Sequence, residues 1–173
     1  MRAARTLELL AELAVAVLGF SGVVAVLGHR ASAEWSYLDR VRFQNMVRLA
    51  ILVLVLSLLP FPFYSAGLDA AQVWGWSSGI GSLICILVVV PQARSVSLAS
   101  VWSTHGVSKL ALTYAVAASF TAPILLALNA GAILLERGGT PYLLVTLLLF
   151  GASLSFFLRL LDTAMGGGRE PAA

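Results

Sequence analysis

The sequence predicts an all-α fold, a polytopic membrane helix bundle with five transmembrane helices. Of its 173 residues, 60% are hydrophobic and 11% are charged, and the mean hydropathy is +0.94. Soluble domains carry about a quarter charged residues, so a soluble globule, a disordered chain and a nucleic-acid-binding domain are poor fits. We therefore expect the lipid bilayer to be the main partner, and we expect no nucleic-acid partner.

Five apolar segments are long enough to cross a bilayer, which takes about 20 residues with a range of about 17 to 25. They are apolar around the whole helix, so length and flanking residues define them better than periodicity does. They predict one transmembrane domain over 1–165, followed by a disordered tail at 166–173. The predicted spans are 7–28, 46–63, 73–90, 110–135 and 141–161.

Local residue types predict where these helices begin and end. Ser, Thr and Asp favour helix N-caps, an acid or amide three residues later forms a capping box, and proline favours the first turn. Inside a helix, proline removes a hydrogen bond and favours a stop. The predicted starts are Ser36 with Asp39, Asp69 with Gln72, and Thr140 with Pro141, and the predicted stops are Pro60, Pro62 and Pro91.

The basic residues predict the orientation, because positively charged loops stay on the cytoplasmic side of the membrane. The N-terminal segment resembles a secretory signal that ends at Ala31-Ser32-Ala33. Cleavage there would place Arg40 and Arg42 outside, so we expect the first helix to be kept as a span. An N-out, C-in protein of a bacterial inner membrane is predicted. Its cytoplasmic segments would hold Arg30, Arg40, Arg42, Arg48, Arg94, Lys109, Arg159 and Arg169, and its outer segments Arg2, Arg5 and Arg137.

Four polar residues are predicted to lie at one depth near the outer face. Glu12, Ser78, Asn129 and Thr146 fall roughly 8 to 9 Å inside the predicted spans at 1.5 Å per residue. A carboxyl group at that depth could bind a proton or a cation, which makes the four residues a candidate polar site. The alternative is that Glu12 is interfacial and that Asn129 hydrogen-bonds a neighbouring helix.

The second helix carries polar residues at a spacing of four. Arg40, Gln44 and Arg48 share one helical face. One interpretation is anchoring on the cytoplasmic side, with Arg48 extending its charged end to the headgroups. The other is contact with an anionic lipid headgroup.

Small residues mark a helix-packing face in the third span. Gly75 and Gly79 form a GxxxG pattern, and Ser82 continues the small-residue spacing. Gly75-Trp76-Ser77-Ser78-Gly79 also matches the G-x-S-x-G motif of serine hydrolases, but that motif needs a strand-to-helix turn. Both histidines are predicted in cytoplasmic loops, across the membrane from Ser77, so we expect no catalytic residue, no metal site and no cofactor.

Two resemblances bear on function. The stretch from Asp39 to Asn45 resembles the start of the second span in the small four-span glutathione-linked membrane enzymes. Those enzymes pair the Asn with a downstream Glu, where this chain has Arg48. The whole chain resembles small bacterial multi-spanning proteins with no assigned activity, through Gly19-Phe20-Ser21-Gly22, Leu58-Leu59-Pro60, Asn129 and Pro141-Tyr142-Leu143.

The sequence favours a non-enzymatic membrane component that packs with itself or with a membrane protein partner through its small-residue faces. The first alternative is a small permease or a proton- or cation-coupled transporter that uses Glu12 and Asn129. The second is an enzyme that acts on a lipid or lipophilic substrate.

Overall fold

The chain is built from helices, as the sequence predicts. The computed structural model describes residues 2–30, 37–95, 109–133 and 137–164, and no strand occurs within them. Five stretches in this part of the chain are long and apolar enough to cross a membrane, which confirms the five-helix bundle. The tail predicted at 166–173 lies outside the described residues. The helices are α1 (Arg2–Arg30), α2 (Tyr37–Leu58), a short α3 (Pro60–Ser65), α4 (Ala70–Ser95), α5 (Lys109–Ala130) and α6 (Gly139–Ala164).

Of the three predicted proline stops, Pro60 agrees with the end of α2 at Leu58, whereas Pro62 and Pro91 are wrong. Pro60 follows the end of α2 closely but begins α3, with Pro62 inside it, so that Arg40–Ser65 forms one candidate span. Pro91 lies inside α4, which continues to Ser95. A proline removes one backbone hydrogen bond, and a membrane helix can tolerate this loss where neighbouring groups satisfy the freed carbonyl.

Other helix boundaries also differ from the predicted ones, and three of them affect the depth of the polar residues. α1 begins at Arg2, because the polar residues before the apolar run include good helix formers. α5 ends at Ala130, five residues before the predicted end, and α6 begins at Gly139, before the predicted Thr140 cap. These shifts change the depth of every polar residue measured from a helix end.

The capping box predicted at the start of α4 is confirmed. The backbone N–H of Gln72 donates to Asp69 Oδ1 at 2.8 Å, and the N–H of Asp69 donates to Gln72 Oε1 at 3.3 Å. Two of the free N–H groups at this helix start are thereby satisfied. The Ser36 and Asp39 pair cannot be compared in this way, because Ser36 and the side chain of Asp39 lie outside the described parts of the chain.

The end of α5 is closed by a Schellman motif. The N–H of Ile133 donates to Leu128 O at 3.2 Å, and the N–H of Ala132 donates to Asn129 O at 3.3 Å. The left-handed position of this motif usually holds glycine, but here it holds Ala132, with a φ of 54°. The left-handed conformation costs an L-residue about 1–2 kcal/mol.

Replacing Ala132 with glycine should raise the free energy of unfolding by about 1 kcal/mol, because the strain of the left-handed alanine is removed. Denaturant unfolding in detergent measures this change. Ala130→Gly is the matched control, since Ala130 is helical and glycine there should lower stability by about 1 kcal/mol. Equal losses in both variants would contradict the assignment of strain to Ala132.

α2 and α6 occupy the centre of the bundle. α6 packs against α1, α2 and α5, while α4 packs against α5 and, less extensively, against α2. We call the end at which α1, α4 and α6 begin, and at which α3 and α5 end, the amino end. The core is formed by buried apolar residues that include Leu7, Leu10, Ala14, Leu49, Leu52, Leu56, Ala118, Ala122, Leu126, Val145 and Leu149.

Candidate functional site

Asn129 joins three segments at the amino end of the bundle. Its Nδ2 donates to Ser78 Oγ of α4 at 2.7 Å and to the carbonyl of Gly138 at 3.2 Å. Its Oδ1 accepts the N–H of Gly138 at 3.3 Å. Asn129 and Ser78 are both buried, so the amide ties α5, α4 and the segment before α6 together.

The Schellman turn after α5 allows this contact by reversing the chain direction. Arg137, on the returning segment, donates from Nε to the carbonyl of Ala130 at 3.0 Å. This contact places a cation at the C-terminal end of α5, where the helix dipole favours positive charge. The same side chain lies over Gly75, where an added Cβ would come within 3.2 Å of Arg137 Cδ.

An aromatic cluster lies beside the Asn129 contact. The ring of Trp74 is 5.7 Å from that of Tyr142 and 5.9 Å from that of Tyr64, measured between centroids. Trp74 also covers Gly139, where an added Cβ would lie 2.7 Å from Trp74 Cζ2 and 3.2 Å from Ala3 Cβ. Gly139 therefore allows α1, α4 and α6 to meet.

Tyr142 satisfies a carbonyl that Pro60 leaves without its helical partner. In a continuous helix the carbonyl of Leu56 would accept the N–H of residue 60, but proline has no N–H. Tyr142 Oη donates to Leu56 O at 2.7 Å instead, and the ring is fully buried. This hydrogen bond links α6 to the end of α2.

Three further contacts between helices in the described part of the chain follow the same chemistry. Hydroxyl groups on one helix donate to backbone carbonyls on another, which is how membrane helices commonly satisfy polar side chains. The bonds are Ser82 Oγ to Pro123 O at 2.8 Å, Tyr114 Oη to Leu148 O at 3.1 Å and Ser153 Oγ to Met46 O at 3.1 Å.

The structure brings together two of the four residues of the predicted polar site. Ser78 and Asn129 are hydrogen-bonded, whereas Thr146 donates to the carbonyl of Tyr142 on its own helix at 2.9 Å. Glu12 is exposed on α1, and α1 packs mainly against α2 and α6 rather than against the helices that carry Ser78 and Asn129.

Two contacts fix the depth of Glu12 along the bundle. Gly139 lies beside Ala3, and the rings of Phe20 and Phe157 are 5.7 Å apart, so α1 and α6 run side by side in the same direction. Glu12 lies about 14 Å beyond Ala3, level with the middle of the candidate span Gly139–Leu158.

The structure therefore departs from the single polar layer predicted near one face. Glu12 lies deeper than expected because α1 begins at Arg2. Asn129 lies at the end of its candidate span, because α5 ends one residue after it. Glu12 and Asn129 do not share a depth.

The small-residue face predicted on α4 lies partly against α5. An added Cβ at Gly79 would lie 3.8 Å from Ala130 Cβ, and Ser82 binds the carbonyl of Pro123. Gly81, which the sequence analysis did not single out, has the closer approach, since an added Cβ would come within 2.8 Å of Leu56 Cδ2 and 3.4 Å of Leu126 Cδ1.

Arg40, Gln44 and Arg48 are all exposed on α2. Arg40 and Gln44 lie towards the end of the bundle opposite the amino end. Ser153 contacts the Met46 carbonyl, which places Arg48 deeper, level with α6 near residue 151.

Two buried hydroxyl groups have no hydrogen-bond partner among the described residues, Ser57 Oγ and Ser77 Oγ. Ser77 is the serine of the G-x-S-x-G match, and it lies inside a helix rather than at a strand-to-helix turn. In the described part of the chain, no three His, Cys, Asp or Glu side chains are grouped closely enough to hold a metal ion. The side chain of His29 and all of His105 lie outside that part.

Sequence reasoning missed Tyr142 and Tyr114, whose hydroxyl groups link helices. Pro60 carried a usable signal, since a proline late in a span predicts an unpaired carbonyl four residues earlier. Nothing local could identify Tyr142, which is distant in sequence, as the donor. The chain matches no protein-family model, no curated protein and no solved structure.

Proposed function

We propose that the chain is a non-enzymatic, helix-packing component of a bacterial inner membrane, oriented N-out and C-in. The supporting observation is the use of its buried polar side chains. Asn129 binds Ser78 and the backbone of Gly138, and four hydroxyl groups bind carbonyls of neighbouring helices. Side chains that form hydrogen bonds between helices in this way hold the helices together rather than bind a substrate.

The orientation and the choice of membrane rest on the basic residues and on the short connections between spans. Arg40 lies towards the end of the bundle opposite the amino end, and the positive-inside rule would assign that end to the cytoplasm. The connections between the candidate spans are too short to fold as separate domains, so the function belongs in or at the bilayer.

A small proton- or cation-coupled permease is the second candidate, favoured by the depth of Glu12. A carboxyl group near the middle of a span is uncommon, and such groups often mark ion pathways. In this bundle Glu12 faces outward, among the exposed side chains of Leu9, Leu13 and Val15. An ion pathway at Glu12 would need a second molecule to cover this exposed face of the bundle.

Proton flux separates the two candidates. We expect purified protein in sealed vesicles, loaded with a pH-sensitive dye and given a pH gradient, to leak protons no faster than protein-free vesicles. Glu12→Gln should leave that rate unchanged, and Glu8→Gln, one helical turn away, is the matched control. Flux that Glu12→Gln abolishes and Glu8→Gln retains would overturn the proposal in favour of the permease.

A further inference from the structure

Glu12 and Arg48 are two opposite charges at nearly the same depth. Glu12 is level with the middle of α6, from the contacts of Ala3 and Phe20. The bonds from Ser153 to the Met46 carbonyl and from Tyr142 to the Leu56 carbonyl set α2 against α6. At 1.5 Å per residue, Arg48 is within about 5 Å of the level of Glu12.

Both side chains are exposed on the surface of the bundle. Neither forms an ion pair or a hydrogen bond with another residue that the structure describes. A charged side chain near the bilayer centre is costly, and such residues usually pair with one another. Within the described part of the chain this requirement is unmet on two adjacent helices, since α1 and α2 pack together.

We propose that a second copy of the chain docks on the surface formed by α1 and α2, with Glu12 of each copy paired to Arg48 of the other. A twofold axis along the membrane normal makes the two pairs equivalent, as in most homodimers. It also sets α1 against α2 of the second copy in antiparallel directions, with acid and base at one level. The inference rests on the proposed function, since it names the partner of the packing component.

The shape of α1 suits a close helix partner on this surface. The exposed positions Arg5, Glu8, Glu12, Val15, Gly19, Gly22 and Val26 follow the three-and-four spacing of a helix-packing face. An added Cβ at Gly19 or Gly22 would meet nothing within 4 Å, so the backbone there is open to approach. The larger exposed residues Leu9, Leu13 and Phe20 lie on the adjoining face, where they can contact lipid.

Charge exchange tests the pair directly. Donor- and acceptor-labelled chains are reconstituted together in phosphatidylcholine vesicles, and energy transfer is followed as the protein is diluted with lipid. We expect a wild-type dimer, and we expect Glu12→Lys and Arg48→Glu each to raise the dissociation constant about tenfold or more. The double variant Glu12→Lys with Arg48→Glu should return it to within about threefold of wild type, because the pair is restored in reverse.

Glu8→Lys is the matched control, since Glu8 lies on the same face but about 6 Å nearer the amino end, and we expect it to change dimerisation less than Glu12→Lys. Circular dichroism checks that each variant is folded. A monomeric wild type, failure of the double variant to recover, or dimerisation only when phosphatidylglycerol is added would each overturn the pair. Any of these results without proton flux would leave the proposed function intact, whereas Glu12-dependent flux would contradict that function itself.

Discussion

Tyr142→Phe should lower the free energy of unfolding by about 2 kcal/mol, within the range of about 1–3 kcal/mol for a buried polar group left unpaired. The substitution keeps the ring against Trp74 but removes the hydroxyl group that donates to Leu56 O at 2.7 Å. That carbonyl has no helical donor, because residue 60 is proline. Leu56 and Tyr142 are both fully buried, so water has little access to this carbonyl and cannot readily replace the lost hydroxyl group.

Tyr114→Phe is the matched control for this prediction. Tyr114 Oη also donates to a carbonyl on α6, that of Leu148, but in this regular helix the same carbonyl also has a helical donor, the N–H of residue 152. We expect a loss of about 1 kcal/mol or less for Tyr114→Phe. Denaturant titration in detergent, followed by circular dichroism, measures both. Equal losses would show that Pro60 does not give Tyr142 its special role.

Asn129→Ala should lower the free energy of unfolding by about 3 kcal/mol. The change removes three hydrogen bonds and leaves the hydroxyl of Ser78, together with the N–H and carbonyl of Gly138, without the partners they have in the wild type. Each buried polar group left unpaired costs about 1–3 kcal/mol. The loss is limited because Gly138 is only partly buried and can contact water.

A double-mutant cycle with Ser78→Ala isolates the contact between the two side chains, and we expect a coupling of about 1 kcal/mol. Thr121→Ala is the control, since Thr121 is exposed and donates to carbonyls of its own helix, so its loss should stay within about 0.5 kcal/mol. If Asn129→Ala unfolds at the wild-type midpoint, Asn129 does not hold the helices together.

The features that the sequence predicted well are local ones. The capping box of Asp69 and Gln72 depends on groups three residues apart, so the residue types suffice to predict it. The five spans follow from length and composition. The helix ends were predicted less accurately, because the length of an apolar segment shows where a helix is apolar and not where its backbone hydrogen bonds stop.

The contacts between helices needed the tertiary structure. Asn129 could be identified as a buried amide that needs a partner, but its choice of Ser78 and Gly138 depends on the turn at Ala132. The same holds for Gly81, whose importance comes from the proximity of Leu56 and Leu126 rather than from its neighbours in the chain.

The sequence by itself therefore determined the class of protein and the number of spans. It also showed three polar residues inside the spans whose surroundings had to be explained, Glu12, Arg48 and Asn129. The tertiary structure decided what surrounds each of them. Asn129 is buried and hydrogen-bonded at the amino end, while Glu12 and Arg48 are exposed at a similar depth on neighbouring helices. The physical reason is that hydropathy is a property of residues that are neighbours in the sequence. The depth and the partners of a polar side chain depend instead on how helices from distant parts of the sequence pack against one another.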